Sequence, residues 1–372
     1  HSYLFNVPFA EAHNATADVE ATTRCFLELI RREVFTKEEL DVPADYFREF
    51  GEKNPKEIQL IGLQHINLKQ ASEAIRKQLQ AQEVVTPTQH EEQVHHDITD
   101  VQFVHLHNHT QFSVLQSTIS VKDLVNAAVQ NKMPAVAMTD HANLMGAFHF
   151  VRDIISHNKS AQAKNKQAEE NGENPTETIV KPIVGCEFYV CDDLKDKSRK
   201  DNGYQIVFLA KTKKGYHNLA KLSSIAYTEG FYYVPRIDKK VIQEYKEDII
   251  VLSGNLYGEI PSKVLNIGEN QAEEALIWWK AQFGEDFYIE LMRHNQEDEN
   301  RVNASLISLA KKHGVKTVAT NNVFYINKED ANAHDILLCV RDGEKQSTPI
   351  GRGRGYRYGF NNQEYYFKSS NE

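Results

Sequence analysis

Apolar and polar positions alternate differently in three parts of the chain, and each pattern predicts its own kind of structure. Over residues 15–33 the apolar side chains recur every three or four positions, which predicts an amphipathic helix. Thr36 and Glu39 then have the spacing of a capping box, so a second short helix is predicted over TKEELDVPADYFREF. Residues 51–99 are charged and rich in glutamine, and we predict a helix followed by a linker there.

From Val101 onward, short β-rich runs alternate with amphipathic helical stretches. The runs are FVHLH, AVAMT, IVFLA, IIVLS, FYIEL and KTVAT. Repeated β–α alternation predicts parallel strands with helices outside them, arranged as a barrel or as a doubly wound sheet. Within this part, residues 161–178 are polar and show no apolar period, which predicts a mobile loop.

Composition narrows these possibilities. With 372 residues the chain exceeds the ~100–200 residues of an ordinary domain, so we expect several units or one large α/β barrel. The net charge of −9 argues against a surface that binds nucleic acid over its whole extent, although it allows a local basic patch. The four cysteines form no CxxC pair, which is typical of reduced, buried thiols in a cytoplasmic protein. No apolar run reaches membrane-spanning length, and the chain opens without Met or a signal peptide, so we expect a fragment with no membrane role.

Three histidines stand at every second position in HLHNHTQFS. An extended strand sends alternate side chains to one side, so His105, His107 and His109 can project together. Because imidazole is the commonest protein ligand of zinc-like metals, this spacing indicates a metal site. A surface strand whose polar side chains face water is the alternative. Polar residues at other strand ends, among them His141 and Glu187, favour the metal site, since such ends converge on one face of a parallel barrel.

Longer blocks of the sequence carry a resemblance to a known family. The blocks are FVHLHNHTQFSVL, AVAMTDHANLMGAF, IVGCEFYV, LAKTKKGYHNLAKLSSIAYTEGFYYVPRID, IIVLSGNLYGEIP and VATNNVFYINKEDANAHDILLCV. In this order they resemble the polymerase-and-histidinol-phosphatase (PHP) domain, in the version found at the front of bacterial replicative DNA polymerase III alpha subunits. The resemblance implies an α/β fold, a distorted seven-stranded β/α barrel, over residues 100–372.

The resemblance also implies which residues ligate metal. Active PHP domains build a three-metal cluster from histidine and carboxylate ligands. Four ligand positions are retained: His107, His109, His141 and Glu187. Five others are degraded: Gln116, Gln205, Asn255, Asn322 and Phe324. Amide oxygens are weak ligands for zinc-like ions, and a phenyl ring offers none. We therefore expect no hydrolytic cluster and no required cofactor, with at most one weakly bound divalent ion such as zinc, manganese or magnesium.

The front of the chain carries a second resemblance. HNATAD fits H-x-A-x-x-D, the last motif of DEDD-type proofreading exonucleases, which implies His13 as a general base and Asp18 as a metal ligand. Residues 1–35 are then expected to be the end of such a domain, and residues 36–99 a helical segment and linker. The first motif of that family would precede residue 1, so this stretch is not expected to catalyse alone. A capped helix with an incidental His and Asp is the alternative.

A glycine-rich segment near the end of the chain mixes arginines with tyrosines. In GRGRGYRYGF, Arg352, Arg354 and Arg357 are candidates for pairing with the phosphates of single-stranded nucleic acid, with the aromatic rings stacking on bases. A flexible surface loop is the favoured alternative, because the segment is short and rich in glycine.

Together these patterns predict the N-terminal part of a replicative polymerase, acting in DNA replication in the cytoplasm. The parent chain would be a nucleotidyltransferase with a fused proofreading 3′–5′ exonuclease, and this stretch by itself is expected to be inactive. The PHP domain would serve as a structural scaffold, with DNA bound through the rest of the parent chain and with other replisome subunits as partners. A metal-dependent phosphoesterase or 3′–5′ exonuclease is one alternative, and a replisome interaction module is another.

Overall fold

The computed structural model describes five stretches of the chain and divides it into two compact units. The described residues are 2–6, 15–58, 103–198, 200–351 and 353–372. The units are residues 1–96 and 97–372. The boundaries predicted at 35/36 and 99/100 remain predictions, and the predicted linker falls largely outside the described residues.

The first unit is helical in its described part. Its helices are α1 (Ser2–Phe5), α2 (Ala15–Arg31), α3 (Lys37–Leu40) and α4 (Tyr46–Lys53). The helix predicted at 15–33 is confirmed. The capping box is also present, since the Thr36 side chain accepts from the Glu39 backbone and Glu39 accepts from the Thr36 backbone. The prediction of one helix over TKEELDVPADYFREF was wrong, however. Asp41 takes a left-handed conformation that ends α3, and α4 follows as a separate helix.

The second unit alternates helices and strands. Its helices are α5 (Val121–Gln130), α6 (Ala147–Glu170), α7 (Lys213–Thr228), α8 (Lys239–Tyr245), α9 (Glu259–Asn266), α10 (Glu269–Phe283), α11 (Glu297–His313) and α12 (Ala331–Asp342). Its strands are β1 (Ala135–Met138), β2 (Lys181–Cys191), β3 (Tyr204–Ala210), β4 (Arg236–Asp238), β5 (Ile249–Leu252), β6 (Phe287–Met292) and β7 (Lys316–Thr320). Short 3₁₀ turns cover Gly284–Asp286 and Lys328–Asp330.

The strands form one curled, seven-stranded sheet in the order β1-β2-β3-β5-β6-β7, with β4 paired to β2. The predicted α/β barrel class is confirmed, but the expectation of parallel strands throughout was wrong. β3 runs antiparallel to both β2 and β5, because residues 192–203 return the chain directly beside β2 instead of crossing over through a helix. The other pairs are parallel.

The segment 103–109 joins the two ends of this sheet. On one side, the Ala137 amide of β1 donates to the His105 carbonyl at 2.9 Å. On the other side, the Val323 amide, just beyond β7, donates to the His107 carbonyl at 3.1 Å. The segment is therefore the closing element of the barrel, although it forms only an isolated bridge at Asn108 and not the regular strand predicted for FVHLH.

The polar stretch predicted to be a loop is partly helical. Helix α6 continues to Glu170, so the prediction was wrong for residues 161–170. Residues 171–178 form a loop as predicted, and its mobility stays a prediction. Alanine, lysine, glutamine and glutamate are strong helix formers even without an apolar period. Ala161 is buried, and the Asn165 side chain hydrogen-bonds the backbone of Glu177, which fixes the end of this helix against the loop.

Two apolar clusters pack the helices onto the outside of the sheet. The larger joins β2, β3, β5 and β6 to the helices that follow them, and it includes Trp279, as the helical packing of LIWWKAQF predicts. The smaller lies between β1, α5 and α6 and includes Phe150. Both clusters fix the helices against the strands of the sheet.

Candidate functional site

A buried carboxylate, Glu187, lies at the centre of a group of histidines. It belongs to β2 and has no exposed surface. His107 Nε2 lies 3.1 Å from Glu187 Oε1, and His141 Nδ1 lies 2.7 Å from Oε2. His109 Nε2 is 3.7 Å from Oε2. The structure thus brings together all four ligand positions that the sequence retains.

His105 does not join this group. Its Nε2 lies 2.8 Å from the Lys368 carbonyl, and its ring packs against Phe103 and Phe367. The expectation that three alternate imidazoles share one side was therefore wrong for His105. The reason is that residues 103–107 do not form a regular strand, so strict alternation does not apply.

The Nδ1 atoms of His107 and His109 are each held by another side chain. His107 Nδ1 lies 2.9 Å from Glu290 Oε1, and Glu290 is fixed in turn by Thr320 Oγ1 at 2.6 Å. Hydrogen bonds of this kind are how proteins orient metal-binding imidazoles. They turn the Nε2 atom of His107 toward Glu187.

The orientation of His109 can be deduced from its partner. Ser113 has one hydroxyl proton and donates it to Asp140 Oδ1 at 2.7 Å. Ser113 Oγ therefore accepts from His109 Nδ1, 3.0 Å away. The neutral His109 ring then has its lone pair on Nε2, the atom that faces Glu187.

Burial and neighbouring charges act against each other in this cluster. Burial lowers the pKa of His107, but the carboxylates of Glu290 and Glu187 outweigh it and raise that pKa to about 10. Burial raises the pKa of Glu187, yet His141 and His107 hold it well below its usual range. The pKa of His109 lies well below its ordinary value because of burial and the neighbouring His141. These shifts favour an ionised Glu187 paired with a protonated His107.

The facing atoms of the cluster are close together but poorly directed for hydrogen bonds. His107 Nε2, His109 Nε2, His141 Nδ1 and Glu187 Oε2 are buried and have no hydrogen-bond partner of acceptable geometry within the described residues. Ligand atoms of His107, His109 and Glu187 all lie within 4.8 Å of one another. Two imidazoles and a carboxylate suit a zinc-like ion. This donor set can therefore hold one metal ion.

The degraded positions surround the same place. All five line a cavity of about 450 Å³ that His141 also lines: Gln116, Gln205, Asn255, Asn322 and Phe324. The Phe324 ring stacks on His109 with centroids 4.4 Å apart. Asn255 Nδ2 donates to Gln205 Oε1 at 2.8 Å and to Glu187 Oε1 at 3.3 Å. The structure thus places these residues at one end of the barrel.

Three buried residues of the site were not found from the sequence. Glu290 holds His107, and His294 Nδ1 lies 2.6 Å from Glu299 Oε1. The backbone N–H of Asn322 donates to His294 Nε2 at 3.2 Å. The His294–Glu299 pair therefore fixes the backbone at Asn322, one of the predicted degraded positions. One signal was available, since Glu290 interrupts the apolar run FYIEL and His294 follows the same strand.

The predicted exonuclease and nucleic-acid-binding residues are not part of this cluster where the structure describes them. Arg357 is buried and makes a bidentate ion pair with Asp335, at 2.6 and 2.9 Å, so its guanidinium is already engaged, and its predicted role as a phosphate ligand stays a prediction. Arg354 is exposed, and Arg352 lies outside the described residues. Asp18 is exposed on α2, and His13 also lies outside the described residues.

The chain is similar to several known proteins. Residues 105–294 match the family described as PHP domain. The chain is 36% identical over 274 residues to DNA polymerase III subunit alpha of Borreliella burgdorferi, covering 73% of this chain and 22% of that protein. It is 35% identical over 300 residues to DNA polymerase III subunit alpha of Chlamydia trachomatis, again covering 73% and 22%. The chain thus spans about a fifth of the length of the curated relatives it matches.

One solved structure gives a weak overall match. It is an amidohydrolase from Chromobacterium violaceum, 11% identical, with a TM-score of 0.34, covering 59% of this chain and 87% of that one. Among the helices that the structure describes, none combines the length and the apolar character needed to cross a membrane.

Proposed function

This chain belongs to the PHP domain family, and we propose that it is the PHP part of a replicative DNA polymerase III alpha subunit, where it serves as a structural scaffold. Its similarity to two such subunits supports the polymerase context. In that context DNA is bound through the rest of the parent chain, in the cytoplasm and beside other replisome subunits. The fused exonuclease, with its end at residues 1–35, rests on the HNATAD pattern and on the helix α2 that follows it.

The scaffold role is supported by the side chains found at the predicted degraded ligand positions. The Phe324 ring lies flat against His109, and Asn255 bonds both Gln205 and the central carboxylate of Glu187. Apolar surface and amide groups thus occupy the space where further ions would need charged donors. We therefore expect no hydrolytic centre with several metals at this site.

One ion site remains chemically reasonable. His107, His109 and Glu187 would hold the ion, and Glu290 and Ser113 orient the two imidazoles for it. A divalent ion would supply a coordination link between the closing segment 103–109 and β2. The ion pair of His107 with Glu187 already links the closing segment to β2. A metal ion would have to displace the proton of His107 and break this pair in order to bind both side chains. We therefore propose weak binding of one ion at most.

Metal content is the direct test of this proposal. After equilibration with zinc and desalting, we expect no more than one zinc ion per chain by elemental mass spectrometry. Glu187→Gln should abolish the bound fraction, because it removes the only anionic donor of the set. Glu290→Gln should weaken binding about 10–100-fold, since it removes the group that orients His107. Two or three ions per wild-type chain would show that the cluster is intact.

Hydrolytic activity separates the scaffold from the rival phosphoesterase. We expect the chain to release no nucleotides from a 3′-labelled DNA primer and no phosphate from small phosphate esters, with zinc, manganese or magnesium present. Extension of a primed template is also expected to be absent. An activity that survives repurification and is lost in His107→Ala and His109→Ala would contradict the proposal, whereas one that survives both changes marks a contaminant.

A further inference from the structure

The cavity beside the metal-binding cluster has a chemical character of its own. Amide side chains line it from several directions: Gln116, Gln205, Asn255, Gln296, Asn322 and Asn361. Its volume of about 450 Å³ is typical of small-molecule sites, which span about 300–1,000 Å³. An amide presents a donor and an acceptor side by side and carries no charge. Such a lining fits a neutral ligand that offers complementary donors and acceptors at its edge.

Two of these amides retain unused hydrogen-bonding capacity. Asn322 is 5% exposed, and its buried Oδ1 has no hydrogen-bond partner of acceptable geometry in the described part of the chain, although it lies beside the His109 ring. Its backbone is fixed by His294, so the side chain is held in place. Gln205 uses Oε1 to accept from Asn255, which leaves its Nε2 available as a donor. Unsatisfied buried acceptors are costly, and a bound ligand removes that cost.

Flat rings form another part of the lining. Phe324 and His141 line the cavity. They stack on the fully buried His109 ring, with centroids 4.4 and 4.2 Å from it and interplanar angles of 12° and 26°. At the rim, Tyr257 and Tyr358 are 49% and 39% exposed, and both line the cavity. Exposed rings beside a polar cavity are suited to stacking on a planar ligand.

The charged side chains around the cavity balance one another. Arg301 lies 4.0 Å from Asp298, and Glu299 is paired with His294. Arg341 lies over one face of the Tyr358 ring, 4.9 Å from its centroid, and hydrogen-bonds Asp342, so a ligand can stack only on the opposite face of that ring. These pairings favour a ligand whose recognised part is uncharged, and they give no ring of cations for a phosphate.

We propose that this cavity binds a nucleobase, with the Asn322 amide reading its hydrogen-bonding edge and Tyr358 stacking on its face. Asn and Gln pair in this way with adenine, whose N6 donates and whose N7 accepts. Stacking on aromatic side chains combined with edge recognition is how proteins hold bases that are unpaired. This inference goes beyond the scaffold role, because positions that lost metal ligands would have acquired a binding function. The base can come from a free nucleoside or from a single strand of nucleic acid.

Binding of a base and binding of a phosphate backbone can be separated with matched probes. The full chain is titrated, by fluorescence anisotropy, into a labelled 12-nucleotide oligodeoxyadenylate and into an abasic strand of the same length. We expect the base-containing strand to bind at least fivefold more tightly. Adenosine is examined in parallel by saturation-transfer NMR, where base protons should receive more saturation than ribose protons if a free nucleoside is taken. Binding of the strand alone would assign the site to bases within a chain.

Variants locate the binding in this cavity. Tyr358→Ala and Asn322→Leu should each lower the affinity about fivefold or more, as loss of one stacking ring or one edge contact does. Tyr356→Ala is the matched control, because Tyr356 is 52% exposed in the same segment but does not line the cavity, and it should change affinity less than twofold. Tyr358 is exposed enough for its variant to fold even if Asn322→Leu does not. Equal affinity for the abasic strand, unchanged affinity in Tyr358→Ala, or no binding of any probe would overturn the proposal.

Discussion

Replacing Glu187 with glutamine should lower the thermal stability of the second unit strongly. The substitution keeps the shape of the side chain but removes the negative charge that His107 and His141 face at 3.1 and 2.7 Å. Breaking a buried ion pair by removing one partner costs about 3–5 kcal/mol, because the other charge stays buried. At about 2–4 °C per kcal/mol for a unit of this size, we expect the melting temperature to fall by at least about 6 °C.

A charge-matched control distinguishes this effect from a general loss of acidic residues. Glu285 pairs with Lys316 but is 82% exposed, and exposed ion pairs contribute about 0–1 kcal/mol. Glu285→Gln should therefore leave the melting temperature almost unchanged. Differential scanning calorimetry of the wild type and both variants measures this. Glu187→Asp, which keeps the charge on a shorter side chain, should fall between wild type and Glu187→Gln. Equal melting temperatures for wild type and Glu187→Gln would refute the central role given to this carboxylate.

The ligand positions that converge in the structure could be located from the sequence because each lies next to a distinctive block. His107 and His109 lie within FVHLHNHTQFSVL, and Glu187 within IVGCEFYV, so a residue-by-residue match to the family placed them without any coordinates. The same match located Asn322 and Phe324, which line the cavity beside Glu187 although neither side chain is a good metal ligand. Matching by position can therefore locate a residue whose side-chain chemistry gives no signal.

The partners of these ligands were harder to find. Glu290 lies in a run that otherwise predicts a buried strand, and Glu299 lies in the acidic first turn of α11, where such residues are ordinary. Nothing local shows that one will hold His107 and the other His294. The contact of Glu290 with His107 joins residues 183 positions apart and so depends on the closed barrel. Glu299 and His294 are only five positions apart, but their residue types alone do not show that they pair.

The misjudged elements have a similar explanation. The apolar pattern of a strand carries no direction, so IVFLA predicted β3 but not its antiparallel pairing. The apolar pattern also reflects side chains only and carries no information on backbone pairing. Residues 103–109 were predicted to form a strand, but they close the barrel through a few backbone hydrogen bonds and without a regular ladder. Helix α6 passes through a stretch with no apolar period because Ala161 and Asn165 suffice to anchor it. The first two errors concern interactions that the sequence does not display locally, whereas the third overlooked the helix propensity of the residues themselves.

Restoring the degraded positions should return metal binding to the barrel. The substitutions are Gln116→Asp, Gln205→His, Asn255→Cys, Asn322→Asp and Phe324→His. All five residues line the cavity that adjoins Glu187, so the new carboxylates, imidazoles and thiol would face the existing donors. Imidazole, thiolate and carboxylate are the ligands that zinc-like ions prefer. We expect the variant to hold at least two zinc ions per chain by elemental mass spectrometry, against no more than one for wild type.

Phe324 is the decisive position in this experiment. Its ring stacks on His109 and meets Phe360 edge-on, with centroids 5.2 Å apart, so it fills space that a second ion would need. Phe324→His supplies a donor and opens that space at once, whereas the other four changes without it should recover less metal. Adding Glu187→Gln to the five-fold variant should remove the gained ions, because Glu187 is the buried carboxylate that the existing histidines surround. A folded five-fold variant that holds no more zinc than wild type would show that these positions, although gathered around one cavity, no longer have the geometry of a metal cluster.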